Sequence, residues 1–177
     1  MRSARRIVPG LLLVVVAVAV FTASSQAAPR SYTRMTSLET SVLSDINNFR
    51  AQHGLARLTL SRDLTAAASQ HSSEMATDGY FAHTSFDGQA FWKRVQAFYS
   101  SSSWPYWSVG ENLLWSSPDV DADGALKLWI ASPEHLANLL NPRWRQVGVS
   151  AVHMTQAPGV YRGMDVTIVT TDFGVRH

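Results

Sequence analysis

The chain has 177 residues, of which 46% are hydrophobic and 16% charged, and it contains no cysteine. This composition excludes a collagen, a coiled coil and a disulfide scaffold, and the lack of thiols excludes cysteine nucleophiles, thiolate zinc sites and a lipoprotein anchor. Any metal must therefore be held by His, Asp or Glu side chains.

The first 27 residues have the parts of a secretory signal peptide. Three arginines within residues 1–6 precede an apolar stretch over 7–21, and Ser25 and Ala27 fit a cleavage site after position 27. The apolar run is shorter than the ~20 residues that span a bilayer, so we predict export by the general secretory or the twin-arginine route without stable membrane insertion. The remaining chain carries twelve basic against thirteen acidic residues, which argues against binding to nucleic acid.

Residues 28–35 are polar and are predicted to be a linker. Apolar residues then recur at helical spacing in three segments. They predict a helix over 36–53, a second helix that is capped by Ser61 or Asp63 and ends at Gly79, and a third over 89–98.

The second half of the chain changes character. A serine run and the aromatic segment 104–107 are predicted as loop, and helices are predicted over 122–130 and 133–140. Beyond Pro142, alternating residues predict strands near 147–151 and 166–170. Helices first and strands last indicate an α+β fold with a small antiparallel sheet under the helices.

The common active-site motifs are absent from the sequence, including HExxH, the P-loop and GxGxxG. Asp119, Asp121, Asp123 and Gly124 resemble the start of a calcium loop, but position twelve of that loop falls on Ile130, not on a bidentate Glu. We therefore do not predict a Ca²⁺ site, and we assign these acids to the N-terminus of a helix.

Several short motifs occur in a distinctive order. They are INNFR at 46–50, HGL at 53–55, GYFAHTS at 79–85, GENL at 110–113, WIASPEH at 129–135, NLL at 138–140, VGV at 147–149 and DFG at 172–174. Together they make residues 36–177 resemble the CAP superfamily, also called SCP or PR-1-like, in its bacterial secreted branch. The resemblance implies a three-layer α-β-α sandwich with a central antiparallel sheet.

In that family, two His and two Glu line a cleft, and the resemblance assigns His83 and Glu111 to it. The chain departs from the family at the second Glu, where Ser132 stands, and in its final strands, which carry no His at the expected place. His135 would then be the second imidazole. Asn112 and Ser132 would be supporting polar groups.

Such a site allows two kinds of chemistry. His83, His135 and Glu111 are the donor types of an open Zn²⁺ site, in which a bound water is activated or a ligand is held, with Glu111 as the candidate catalytic carboxylate. Alternatively, the same three groups form a hydrogen-bonded network without metal.

We accordingly expect a secreted, extracellular, monomeric binding or signalling module that recognises a cell-envelope ligand, and we favour a binding role over an enzymatic one. A metal-dependent hydrolase of peptides or cell-wall components is the first alternative, and a lipid or sterol carrier is the second. Trp104, Tyr106 and Trp107 precede Glu111 closely, so they are predicted either to stand at the cleft mouth as a ligand loop or to pack in the core.

Overall fold

The computed structural model describes residues 30–177, so the predicted signal peptide and the first two residues of the predicted linker lie outside the described residues. The helices are α1 (Thr36–Gln52), α2 (Arg62–Asp78), α3 (Phe91–Phe98), α4 (Ala122–Ile130) and α5 (Pro133–Leu139). The strands are β1 (Tyr32–Arg34), β2 (Thr59–Leu60), β3 (Trp107–Ser116), β4 (Gln146–Met154) and β5 (Val166–Arg176).

The helix ends follow local capping chemistry. Ser61 precedes α2, and its side chain accepts a hydrogen bond from the Leu64 N–H, while Gly79 ends the same helix in the left-handed conformation. Asp121 caps α4 by accepting from the Gly124 N–H. This is the helix-terminal role predicted for the acidic segment.

The strands form one sheet in the order β1-β4-β5-β3, with β2 pairing in parallel to the first residues of β4. Every other ladder is antiparallel. Two sequence expectations are corrected. Residues 32–34 of the predicted linker form β1, and β3 lies between α3 and α4, so the strands are not confined to the end of the chain.

Helices cover both faces of this sheet. α2 and α3 pack on one face, where Met75, Tyr161 and Ile168 lie in a buried cluster. α1 and α4 pack on the other, where Ile46, Trp129 and Phe173 belong to the largest buried cluster. The three-layer α-β-α arrangement with a central antiparallel sheet is thus confirmed.

A glycine sets the distance between α2 and the sheet. A Cβ added at Gly148 of β4 would lie 2.1 Å from the carbonyl carbon of Leu64, so only glycine allows this approach. α2 therefore sits directly on the sheet. Within residues 30–177, no helix combines the length and the apolar character needed to cross a membrane.

Candidate functional site

A cleft of about 400 Å³ lies along β3, which is the outermost strand at its side of the sheet. Its lining residues come from the α2–α3 side, from β3 itself and from α5, and they are His83, Phe91, Val109, Gly110, Glu111, Glu134, His135 and Asn138. The cleft therefore opens where the two helical layers meet the edge of the sheet. His83, Glu111 and His135 all line it, as expected for a shared site.

Glu111 is held between a surface histidine and a buried arginine. Its Oε1 lies 2.8 Å from Nδ1 of His83, and its Oε2 accepts a hydrogen bond from Nη2 of Arg94. The His83 side chain is 53% exposed, whereas those of Glu111 and Arg94 are 1% and 2% exposed. Both oxygens of the carboxylate are thus engaged, and only the imidazole of this trio reaches solvent.

Arg94 also connects Glu111 to the segment that carries His83. Its Nη1 donates to the His83 carbonyl at 3.1 Å and to Ser85 Oγ at 3.2 Å. Sequence reasoning missed this residue. The available signal was a charged side chain at an inward-facing helical position, three residues after Phe91 and directly before the buried Val95.

Asp172 is a second carboxyl group beneath Glu111. It lies on β5 directly opposite Glu111 in the antiparallel register, is fully buried, and neither of its oxygens has a hydrogen-bond partner within residues 30–177. Burial, followed by the charge of Glu111, raises the pKa of Asp172 well above its ordinary value. The protonated form of Asp172 is therefore favoured, and Glu111 is the carboxylate that pairs with Arg94.

His71 supports the same wall from α2. It is completely buried, and Nε2 lies 2.9 Å from the carbonyl oxygen of Ala82, next to His83. Burial lowers the pKa of His71 to about 4, so its ring is neutral and Nε2 can donate to that carbonyl. The hydroxyl of Tyr80 lies 3.3 Å from the other ring nitrogen. His71 thereby anchors the loop that presents His83.

The opposite wall is built from neutral amides. Asn112 Nδ2 donates to the His135 carbonyl at 3.1 Å, and Asn138 Nδ2 donates to Asn112 Oδ1 at 2.9 Å and to the Glu111 carbonyl at 3.1 Å. Burial, followed by the neighbouring His83, lowers the pKa of His135 below its ordinary value. Asn138 was not anticipated from the sequence.

Two predicted supporting residues lie outside the cleft lining. Asn112 is fully buried on the face of β3 that α5 covers, so it positions His135 and does not contact cleft contents. Ser132 precedes α5, and its side chain makes no capping hydrogen bond. Glu134, which is exposed, lines the cleft on that side.

The predicted zinc ligands do not form a three-donor group. Among residues 30–177, no three His, Asp or Glu side chains are close enough together to hold an ion. Glu111 instead bonds His83 Nδ1 and a buried guanidinium. The other donor groups of the cleft lining are the second ring nitrogen of His83, the imidazole of His135 and the carboxylate of Glu134. Two imidazoles are donor types of a transition-metal site.

The aromatic segment is also placed differently from the expectation. Trp104, Tyr106 and Trp107 are absent from the cleft lining. Trp107 donates from Nε1 to the Tyr99 carbonyl, and Tyr106 stacks on His177 and lines a separate pocket. Because an extended strand rises about 3.4 Å per residue, four positions along β3 move a side chain ~13 Å from Glu111. Phe91 and Val109 supply the apolar cleft wall instead.

Comparison with curated proteins finds bacterial relatives. The chain is 29% identical over 114 residues to the "Uncharacterized membrane protein YlbC" of Bacillus subtilis and 28% identical over 131 residues to the "Uncharacterized protein YkwD" of the same organism. These matches cover 64% and 74% of this chain but 31% and 48% of the relatives. The chain thus spans about a third to a half of the length of these relatives.

Solved structures share the fold. An extracellular protein containing a SCP domain from Bacillus anthracis has a TM-score of 0.59 at 25% identity, over 78% of this chain and 40% of that one. An outer surface protein of Borrelia burgdorferi has a TM-score of 0.62 at 17% identity, over 83% and 100%, and shows the fold alone. A family model described as "CAP: Cysteine-rich secretory protein family" matches residues 43–170. The chain therefore belongs to the CAP family, even though it contains no cysteine itself.

Proposed function

We propose that this protein is an extracellular binding module whose cleft holds a divalent cation between His83 and His135, and that the cation in turn binds a ligand. The observation that carries the proposal is the engagement of both Glu111 oxygens by His83 and Arg94. A carboxylate that is bonded on both oxygens and is only 1% exposed orients an imidazole and is shielded from water in the cleft. This favours binding over hydrolysis.

The bond to Glu111 sets which nitrogen of His83 is free. A carboxylate oxygen accepts hydrogen bonds, so Nδ1 of His83 must be the protonated nitrogen and Nε2 carries the lone pair. Hydrogen bonding of one ring nitrogen to a carboxylate is the usual outer arrangement around a histidine that ligates a metal. The half-exposed ring is therefore prepared to donate its second nitrogen to an ion.

The other wall adds a second neutral donor. A lowered pKa keeps the His135 ring uncharged near neutral pH, so its lone pair is available. The exposed carboxylate of Glu134 contributes negative charge beside it. Two imidazoles and a nearby carboxylate favour Zn²⁺ or Cu²⁺ over Ca²⁺ or Mg²⁺, which prefer sites made of oxygen. When bound, such an ion would supply a Lewis-acidic position for an anionic or carbonyl ligand.

Zinc titration tests this proposal. Zinc at 100 times its dissociation constant should raise the free energy of unfolding by about 2.7 kcal/mol, and His83→Ala and His135→Ala should each abolish most of that gain. The gain should weaken as the pH falls, because protons compete with the ion for the ring nitrogens. The measurement is thermal and urea unfolding of the purified protein with zinc or chelator.

His53→Ala is the matched control. This exposed histidine follows α1, does not line the cleft, and its Nδ1 lies 2.9 Å from the Phe49 carbonyl oxygen. Zinc stabilisation should be retained in this variant. If both His83→Ala and His135→Ala keep the zinc-dependent gain in the free energy of unfolding, zinc binds elsewhere and the proposal is wrong.

A further inference from the structure

Alternate residues of β3 direct their backbone N–H and C=O groups toward β5 and away from it, and the register decides which residues do which. Tyr106 and His177 exchange two backbone hydrogen bonds, of 2.9 and 3.1 Å, immediately before the paired residues of β3 and β5 begin. The register from Trp107↔Arg176 to Ser116↔Thr167 is unbroken. Because hydrogen-bonded and non-bonded pairs alternate in an antiparallel ladder, Val109, Glu111 and every second residue beyond direct their N–H and C=O groups away from β5.

Two side chains confirm this direction independently. Asn138 donates to the Glu111 carbonyl at 3.1 Å, and Trp129 Nε1 donates to the Leu113 carbonyl at 3.2 Å. Both donors come from helices that pack against β3. The outward carbonyls in this half of β3 are therefore satisfied by side chains.

The part of the edge in the cleft lacks such partners. Within residues 30–177, no hydrogen bond reaches the N–H or C=O of Val109 or the N–H of Glu111. These three groups belong to residues that line the cleft, and they point away from β5. Val109 thus offers an unpaired N–H and an unpaired C=O, and Glu111 offers an unpaired N–H two residues later. Another extended chain can pair with an edge strand at such positions.

We propose that the cleft binds an extended peptide as an additional strand against Val109 and Glu111. One residue of an antiparallel peptide would exchange both backbone bonds with Val109, and the carbonyl of the peptide residue two positions before it would accept from the Glu111 N–H. The partner is a peptide and not a second copy of this chain. The reason is that the edge lies in a cleft lined on one side by His83 and Phe91 and on the other by His135 and Asn138, which favours a single narrow chain over a second folded copy.

The walls also indicate the side chains of the peptide. Alternate residues of a strand point to opposite faces, so one set would contact Phe91 and Val109 and the other would approach Glu134. Apolar residues fit the first wall. Basic residues fit the second, because Glu134 is an exposed carboxylate. The proposal shares its cleft with the cation site but requires no metal, so the two proposals can fail separately.

Amide hydrogen exchange measured by NMR on the purified protein, in chelator, tests the pairing. The probe is a hexapeptide of alternating valine and lysine with both ends blocked. Before peptide is added, Val109 and Glu111 should exchange faster than Ser108 and Gly110, whose N–H groups face β5. At about 90% saturation the peptide should slow exchange at Val109 and Glu111 roughly tenfold. Unchanged exchange at these two amides would overturn the proposal, as would equal binding of the fully N-methylated peptide.

A proline substitution provides a second test. Val109→Pro removes an outward N–H that makes no bond within the sheet, a position where an edge strand tolerates proline. Val109→Ala changes the same side chain but keeps the N–H. Peptide binding should fall at least tenfold more in the proline variant than in the alanine variant. An equal loss in both would show side-chain contact without strand pairing, and protection of Val109 that rises with protein concentration alone would show pairing between copies. Either result overturns the proposal.

Discussion

The two walls of the cleft position their histidines by different physical means. On the α3 side, the His83 side chain is bonded to a buried carboxylate whose charge is balanced by Arg94. On the α5 side, the contact from Asn112 reaches only the His135 backbone. His83 therefore has a fixed ring orientation, while the ring of His135 is free to follow a ligand. The comparison teaches that stability should be far more sensitive to substitutions on the charged wall than on the amide wall.

The largest effect is expected from Arg94→Met on the charged wall. Removing the guanidinium leaves the buried Glu111 carboxylate without its cation, and breaking a buried pair from one side typically costs about 3–5 kcal/mol. Urea unfolding measures this loss. Lys93→Met, at the exposed neighbouring position, should change the free energy of unfolding by less than about 0.5 kcal/mol. A loss below about 1 kcal/mol in Arg94→Met would show that this wall does not depend on charge balance.

A smaller effect is expected from Asn112→Ala on the amide wall. The substitution leaves the His135 carbonyl and the Asn138 amide without a neutral partner, which costs about 1–3 kcal/mol. Asn48→Ala is the control, because Asn48 is exposed and its Oδ1 accepts only from the exposed Arg57. If Asn112→Ala destabilises the protein more than Arg94→Met, stability does not depend more on the charged wall than on the amide wall.

The smallest effect is expected from Asp172→Asn at about pH 4. The unfolded carboxyl group is not yet fully ionised there, and a protonated carboxyl group and an amide are similar in size and both neutral, so the free energy of unfolding should change by about 1 kcal/mol or less. Urea unfolding at about pH 4 gives this value. A loss of several kcal/mol in the variant would mean that Asp172 is charged in the folded protein.

The pH dependence of that variant tests the same point more sharply. Asp172 has a raised pKa in the folded state, so the native protein keeps a proton that the unfolded chain releases above about pH 4. Its contribution to stability is therefore present below pH 4 and is lost as the pH rises toward the folded pKa. The wild-type protein should lose stability relative to Asp172→Asn between pH 4 and 7, and parallel curves would contradict a protonated Asp172.

Features set by neighbouring residues were predictable. The ends of α2 and the start of α4 follow from Ser61, Gly79 and Asp121, because capping bonds reach only a few positions along the chain. β3 was missed because residues 110–114 are buried on both faces, so hydrophobic and polar positions do not alternate there. Of the two alternatives for the aromatic segment, the cleft mouth is not supported, because closeness in sequence to Glu111 does not mean closeness in space along an extended strand.

The sequence by itself determined the family, the helices and the cleft residues His83, Glu111 and His135. The order of short motifs indicates the family and its cleft residues, and apolar spacing with capping residues indicates the helices. Only the tertiary structure decided what surrounds Glu111. The packing of α3 places Arg94 against Glu111, and the register of β5 places Asp172 opposite Glu111. The same register directs the backbone N–H and C=O of Val109 away from β5. Each of these depends on which strand or helix becomes a neighbour in space. The burial of Arg94 and Asp172 and the register between β3 and β5 therefore cannot be inferred from any single segment of the chain.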